Sequence, residues 1–323
     1  MSLLLVGLMV RLIYIMQTDG DRYAKQVLSR QSYVSAVLPY ERGEILDRKG
    51  TILAKSVLQY RLILDPKQLL MNEEDITPTM NALKQSFGIK PEDVQSILKD
   101  RPDSQYVILL KNIKQDAVDK YKQLTKYSSD ITGIYFEEEY VRDYPYDTLA
   151  SDVIGFTSAD GTGHWGLEEY YNDELNGTNG REYGYYDSSL NIEKIVKKPE
   201  NGNSLVSTID ANVQRIVQKH IKAFNEETGS KNIGVVVMNP NNGEILAMAS
   251  DQDYNLNDPR NLSGIYTPEE LSSMTEAQKS EALNKLWKNE CISFGYEPGS
   301  TFKPFTISAG LEENVIAPDQ VFH

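Results

Sequence analysis

Between residues 38 and 190, strand-like and helix-like segments mix without a repeating βαβ period. A chain patterned in this way points to an α+β domain, not to a parallel sheet with regular crossovers. Arg42 to Ala54 holds two short apolar runs around Asp47-Arg48-Lys49-Gly50, the pattern of a β-hairpin. Tyr60–Asp65 alternates like a strand and ends at Pro66. Helices are expected over Pro78–Phe87, with Gly88 as the stop, over Pro91–Lys99 and over Asp116–Tyr127. Tyr106–Leu110 and Gly133–Val141 read as strands. Residues 150–190 are rich in glycine and tyrosine and predict loops and short helices. A polar stretch that includes Lys197-Lys198-Pro199-Glu200-Asn201-Gly202 marks a linker over residues 191–205.

A second folding unit starts at residue 206. Val206–Ile209 reads as a strand, and Asp210 is a candidate N-cap for a helix over Ala211–Phe224. Val213, Ile216, Val217, His220 and Ile221 are its expected apolar stripe, with His220 as a packed core residue. Gly234–Met238 and Glu244–Ala249 form a second expected hairpin. Thr275 with Gln278 three residues on marks a capped helix.

The net charge of −14 argues against a nucleic-acid partner, because phosphate binding needs clustered Lys and Arg. One cysteine, Cys291, excludes an internal disulfide and reads as a small packing residue. Three histidines without an HExxH or triad spacing leave no metal site in view, and no cofactor is implied. The stretch Met1 to Gln17 is apolar but short, and it holds Arg11. A buried amphipathic helix would give such a run; the preferred reading is the outer end of a membrane anchor, with Arg11 and Tyr14 at the interface. Residues 18–36 are expected to continue as a polar helix.

The chemistry is concentrated near the end, in Glu297-Pro298-Gly299-Ser300-Thr301-Phe302-Lys303-Pro304. A Pro-Gly turn puts Ser300 at a helix start, where unpaired N–H groups favour a developing oxyanion. Lys303 lies one turn on, on the same face. A neutral lysine in that position is a candidate general base, and Ser300 is then a candidate nucleophile. The spacing alone leaves an ordinary helix open as well, since Ser96-Ile97-Leu98-Lys99 shares it.

Six ordered segments resemble class B (monofunctional) penicillin-binding proteins. They are Arg42–Gly50, Arg142-Asp143-Tyr144-Pro145, Gly163 to Gly180 with Glu168, Ser207–Asp210 with Gln214, Val235 to Met248, and Tyr296–Phe305. The resemblance implies a membrane anchor over residues 1–17, a dimerisation or pedestal domain over 38–190, and a transpeptidase domain over 206–323. It implies a membrane-anchored peptidoglycan D,D-transpeptidase with its body outside the cytoplasm and no cofactor. Its substrates would be D-Ala-D-Ala stem peptides, its inhibitors β-lactams, and its partners a cell-wall glycosyltransferase and division or elongation proteins. Ser300 and Lys303 would be the catalytic residues. Arg42, Asp47, Arg48, Arg142 and Glu168 would be structural, forming ion pairs at the pedestal base.

The S-x-N and K-[ST]-G motifs that this family places after its nucleophile do not follow Ser300. An incomplete chain, cut at both ends and inactive by itself, is therefore expected, with residues 38–200 as its stable core. Two other readings fit the residues: a penicillin sensor or β-lactamase relative, and a non-catalytic interaction module of the cell-wall machinery. The long segment 38–190 argues against the sensor.

Overall fold

The computed structural model describes residue 11 and residues 34–186, 192–230 and 232–321. The anchor expected over 1–17 lies outside these residues apart from Arg11, as does the polar helix over 18–33. Among the described residues no helix is long and apolar enough to cross a membrane. Val34–Leu38 is a strand (β1), so residues 34–36, expected to belong to the polar helix, are strand instead.

The organising element is a 13-residue strand, Ile52–Leu64 (β3). Ile45–Leu46 (β2) pairs with its start across the Asp47–Gly50 turn, where Gly50 takes φ +84°, a conformation glycine adopts without strain. The two sequence segments read as a hairpin arm and a separate strand are thus one continuous strand. Its second half is flanked by Val107–Ile113 (β4) on one side, and Ile134–Asp143 (β5) runs along most of its length, both antiparallel. Helices Glu73–Phe87, Pro91–Asp100 and Gln115–Thr125 cover this sheet. Leu62, Leu64, Leu83, Val94 and Val118 are fully buried between the layers. The first helix starts five residues before the expected Pro78. The bond that proline forfeits would go to the carbonyl of the exposed Glu74, which water can satisfy.

A second core sits at the other end of the sheet, and it crosses the expected domain boundary. Ile45, Leu53, Tyr144, Ile154 and Leu175 pack in one cluster with Ala211, Tyr254, Leu256, Leu262 and Leu286. The linker expected at 191–205 is not a bare connection. Ile192–Lys197 (β9) pairs with Gly180–Tyr186 (β8), which pairs with β1, and Leu205–Val206 (β10) runs parallel to β2. Its polar composition fits a hairpin strand as well as a loop, and composition alone cannot tell the two apart. Of the strand expected over Val206–Ile209 only Val206 is in a strand, as the second residue of β10.

Helix Ala211–Thr228 carries the expected cap: Asp210 accepts from the N–H groups of Asn212 and Val213 at 3.0 and 3.4 Å. Its buried face differs from the expected stripe. Ala211, Gln214 and Ile221 are buried, whereas Ile216 and His220 are exposed. Gln214 faces the hairpin Gly234–Met238 (β11) and Ile245–Ser250 (β12). Its amide donates to Met248 O and accepts from Met248 N, both at 2.9 Å, and so completes the open edge of β12 as a strand would.

Two polar locks hold the base together. Glu168, fully buried, receives Arg42 Nε at 2.8 Å and Arg142 Nε at 2.7 Å, with the Tyr144 hydroxyl donating at 3.2 Å. Arg42 also donates to Asn172 Oδ1 at 3.1 Å and Asn176 Oδ1 at 2.6 Å. Asp47 accepts from Lys49 N and Thr51 N inside its own turn and from Ala211 N at the start of the long helix. Burial pushes its carboxyl up, but these backbone N–H groups outweigh it and hold the group below the ordinary carboxylate range. Around it, Lys49 meets Asp210 at 2.7 Å and Arg48 meets Glu244 at 3.3 Å. The structural roles expected for Arg42, Asp47, Arg48, Arg142 and Glu168 are those seen.

Neutralising Glu168 strands two buried guanidiniums. Glu168→Gln should lower unfolding free energy by about 3–5 kcal/mol, the usual cost of breaking a buried ion pair from one side. Urea denaturation followed by far-ultraviolet circular dichroism measures it; a loss under about 1 kcal/mol would show that the cluster is not a keystone.

Candidate active site

Pro298 leads into a 3₁₀ turn over Gly299–Phe302, which passes into an α-helix over Lys303–Glu312. Gly299 takes φ +54°, the left-handed conformation that turns the chain into the helix. Thr301 N donates to Pro298 O at 3.2 Å, and Lys303 N donates to Ser300 O. Side chains three apart eclipse in a 3₁₀ turn, so Ser300 and Lys303 stand on one face, one directly above the other. Pro304 occupies the first turn of the α-helix, where its missing N–H costs nothing. By contrast, Ser96 and Lys99 lie late in an ordinary α-helix, and Ser96 Oγ donates to Asp100 instead.

The surroundings are open. Every residue from Ile292 to Ala309 is exposed, including Ser300, Lys303, Phe302 and Phe305. Among the described residues no element covers the Ser300–Lys303 turn. What the turn supplies is local: a hydroxyl, an amine above it and the free N–H groups of a helix start. Serine acyl transfer uses groups of these kinds.

The loop that feeds the turn is anchored through Asn289, whose side chain donates to Asp152 O at 3.0 Å and accepts from Cys291 N at 3.0 Å. Cys291 lies half-buried, with Sγ 3.4 Å from Ala249 O; burial, with Asp152 near, pushes its thiol up, in keeping with a packing residue. Asp152 was not singled out in the sequence. It is buried, accepts from Ser250 N at 2.9 Å through Oδ2, and has no partner for Oδ1. No sequence signal marks it, because its setting is made by three separate segments. Its neighbour Tyr254 is equally tertiary: its hydroxyl donates to Ser151 O at 3.2 Å.

Two family profiles match this chain. The penicillin-binding protein dimerisation domain matches residues 37–207, and the penicillin-binding protein transpeptidase domain matches residues 233–323. The chain belongs to the class B penicillin-binding protein family. Among curated relatives, Stage V sporulation protein D of Bacillus subtilis is 29% identical over 315 residues, covering 95% of this chain and 44% of that one. Peptidoglycan D,D-transpeptidase FtsI of Escherichia coli K12 is 28% identical over 328 residues, covering 99% of this chain and 51% of that one. This penicillin-binding protein chain thus spans about half the length of the curated relatives it matches. Among solved structures, penicillin-binding protein 2X of Streptococcus thermophilus shares the fold with a TM-score of 0.66 at 23% identity, over 90% of this chain and 43% of that one. A complex of PBP2 and MreC from Helicobacter pylori gives a TM-score of 0.60 at 20% identity, over 89% of this chain and 54% of that one.

Asp152 gives this chain a pH dependence whose sign follows from its burial. Burial, with Asp253 and Glu290 nearby and the Ser250 hydrogen bonds opposing, pushes its carboxyl up to about 6. The folded state therefore holds a proton that the unfolded chain releases near pH 4, and this group's contribution to stability falls as pH rises from about 4 to about 6. Asp152→Asn keeps the acceptor for Ser250 and removes the titration. It should match wild type near pH 4 and exceed it by about 1–3 kcal/mol at pH 7.5. Thermal unfolding at both pH values reads this; a variant less stable at pH 7.5 would contradict it.

Proposed function

We propose that this chain is the pedestal and nucleophile-bearing part of a peptidoglycan D,D-transpeptidase. The observation that carries the reading is the 3₁₀ turn over Gly299–Phe302, which opens a helix at Ser300 with Lys303 three residues on. In this reading residues 1–17 belong to a membrane anchor, 38–190 to the pedestal and 206–323 to the transpeptidase domain, and the body lies outside the cytoplasm. FtsI of E. coli carries the name peptidoglycan D,D-transpeptidase, which supports the same reaction here.

Ser300 Oγ attacks the carbonyl carbon of the penultimate D-Ala of a stem peptide while Lys303 takes the hydroxyl proton. The Ser300 N–H, unpaired at the turn, faces the developing oxyanion. The C–N bond breaks, and the terminal D-Ala leaves as an amine after receiving the proton from Lys303. An amine of a neighbouring stem peptide then attacks the acyl-serine, and Ser300 regains its proton. β-Lactams acylate the same Ser300 Oγ by opening their amide ring. The PBP2–MreC complex among the fold's neighbours supports a partner protein of the cell-wall machinery, and a glycosyltransferase and division or elongation proteins belong to the same reading.

Ser300 should carry the adduct when the parent protein is treated with a penicillin, and Lys303→Ala should slow acylation by about 10²–10⁴-fold. Peptide mass spectrometry locates the adduct; a label elsewhere, or one retained in Ser300→Ala, removes the assignment.

The 323-residue chain by itself should not be acylated, because Ser300 and Lys303 are exposed, with no wall around them among the described residues. Limited proteolysis should cut first between Ile292 and Ala309 and spare the shared core that reaches Leu286. A stoichiometric penicillin label, or cleavage that begins inside residues 206–286, would refute this account.

A further inference from the structure

The ten-residue strand β5 has a partner on one side only. It pairs with β3 along its whole length, without a register break. Among the described residues no second strand lies along its other edge, and no loop bonds to a backbone group there. The N–H and C=O groups of a strand are shared between its two edges, so about half of those of β5 are left for a further strand.

The opposite edge of the same sheet is blunted. β4 is seven residues long, its register on β3 breaks twice, and it carries the exposed Lys111 followed by Asn112 at φ 58°. Short length, irregularity and lysine are devices that keep an edge from recruiting strands. β5 has none of them: its register is unbroken, and it contains no proline, glycine or lysine.

What β5 carries is acid. Glu137, Glu138 and Glu139 occupy its middle and Asp143 its end. From β3, Arg61 meets Glu137 and Glu139, and Lys55 meets Asp143 at 3.6 Å. Arg142 is engaged by Glu168. The four carboxylates of the strand thus meet two cations, and the exposed Glu138 has no ion-pair partner among the described residues. Tyr135 and Tyr140 flank the acids with exposed rings. Alternate residues lie on opposite faces, so Tyr135, Glu137 and Glu139 share one face, and Glu138 and Tyr140 share the other.

This pattern selects the occupant. A second copy pairing β5 with β5 about Glu138 would set Glu137 opposite Glu139 and Glu138 opposite itself. Like charges directly opposite destabilise a strand pair, and two bodies of net charge −14 repel each other. An extended segment with Lys or Arg at alternate positions would instead meet Glu137 and Glu139 on one face, with Tyr135 beside them for a cation or an apolar side chain.

We propose that the outer edge of β5 takes up an extended basic segment of a partner protein as an added strand, its backbone bonded to β5 and its alternate Lys or Arg side chains beside Glu137 and Glu139. The proposal concerns a surface that the acyl-transfer reading does not use, and its test involves no acylation.

The test is titration of the full chain with a fluorescent peptide, matched to β5 in length, in which lysine alternates with valine and threonine. Anisotropy reads the binding, and amide hydrogen exchange of the saturated complex locates it. Saturable binding is expected, with exchange slowed in Ile134–Asp143 and unchanged in Val107–Ile113. A twin with glutamate in place of lysine should not bind. A twin with methylated backbone nitrogens keeps the charges and loses the donors, and should bind about tenfold more weakly or worse. Glu138→Lys, at an exposed site, should weaken the lysine peptide by about fivefold once circular dichroism shows that the variant is folded. Equal binding of the methylated twin would reduce the contact to surface charge and overturn the proposal. No saturable binding, protection confined to other segments, or equal binding by the folded variant would overturn it as well. A dimer of the peptide-free chain in sedimentation, with β5 protected from exchange, would assign the edge to a second copy and refute the proposal.

Discussion

Glu168 sits where four stretches of chain meet, and the base of the molecule depends on its charge. The Arg42 stretch before β2, the Arg142 end of β5, Tyr144 and the Asn172–Asn176 turn all converge on it or on its arginine partners. Burying one carboxylate and two guanidiniums is costly, and an apolar cluster of equal volume could be as stable. What an apolar cluster would lack is direction. A planar guanidinium accepts only partners placed in its own plane, so Arg42 and Arg142 fix both the register of β5 and the path of the chain around Glu168. Glycine completes the fit: a Cβ at Gly163 would meet Glu168 O at 1.9 Å, so no larger residue can stand there.

The second lock decides how the two halves relate. The Asp47 turn could have been a free surface hairpin. Instead one oxygen of Asp47 closes the turn and the other receives the first N–H of the long helix, while Lys49 and Arg48 reach Asp210 and Glu244. Beneath these polar contacts lies one apolar cluster drawn from both sides of the 191–205 stretch. A shared core of this kind makes the base of the pedestal and the start of the next domain a single cooperative unit. From this unit the contacts run on to the β11–β12 hairpin through Gln214 and, through Asn289, to the loop that leads to Ser300.

What was legible in the sequence was local chemistry. The Asp47–Gly50 turn, the Asp210 cap, the Gly88 stop, the Thr275 capping box and the Pro298-Gly299 entry to the serine turn all depend on residues within four positions of one another. What escaped was set by partners far along the chain. His220 belongs to an apolar rhythm, yet it is exposed, because the long helix turns Gln214 toward the edge of β12. A glutamine does not count as apolar, so periodicity alone misassigns the buried face. β9 escaped because its polar composition reads equally well as a loop. Asp152 and the core shared across residues 191–205 escaped because nothing near them in sequence announces either.

The same division explains the candidate site. The stacking of Ser300 and Lys303 follows from a glycine with positive φ, a 3₁₀ turn and a proline in the next turn, all within six residues. Such a motif keeps its shape with little tertiary support, and here it does so with every side chain from Ile292 to Ala309 exposed. Reactivity does not come with the shape. A lysine above a serine becomes a base only when water is excluded and its charge is disfavoured, and that is the work of surrounding elements. The place of Ser300 and Lys303 on the turn is thus set locally, by residues next to them in sequence. The apolar faces of Phe302 and Phe305 are the part of the turn through which such packing would act.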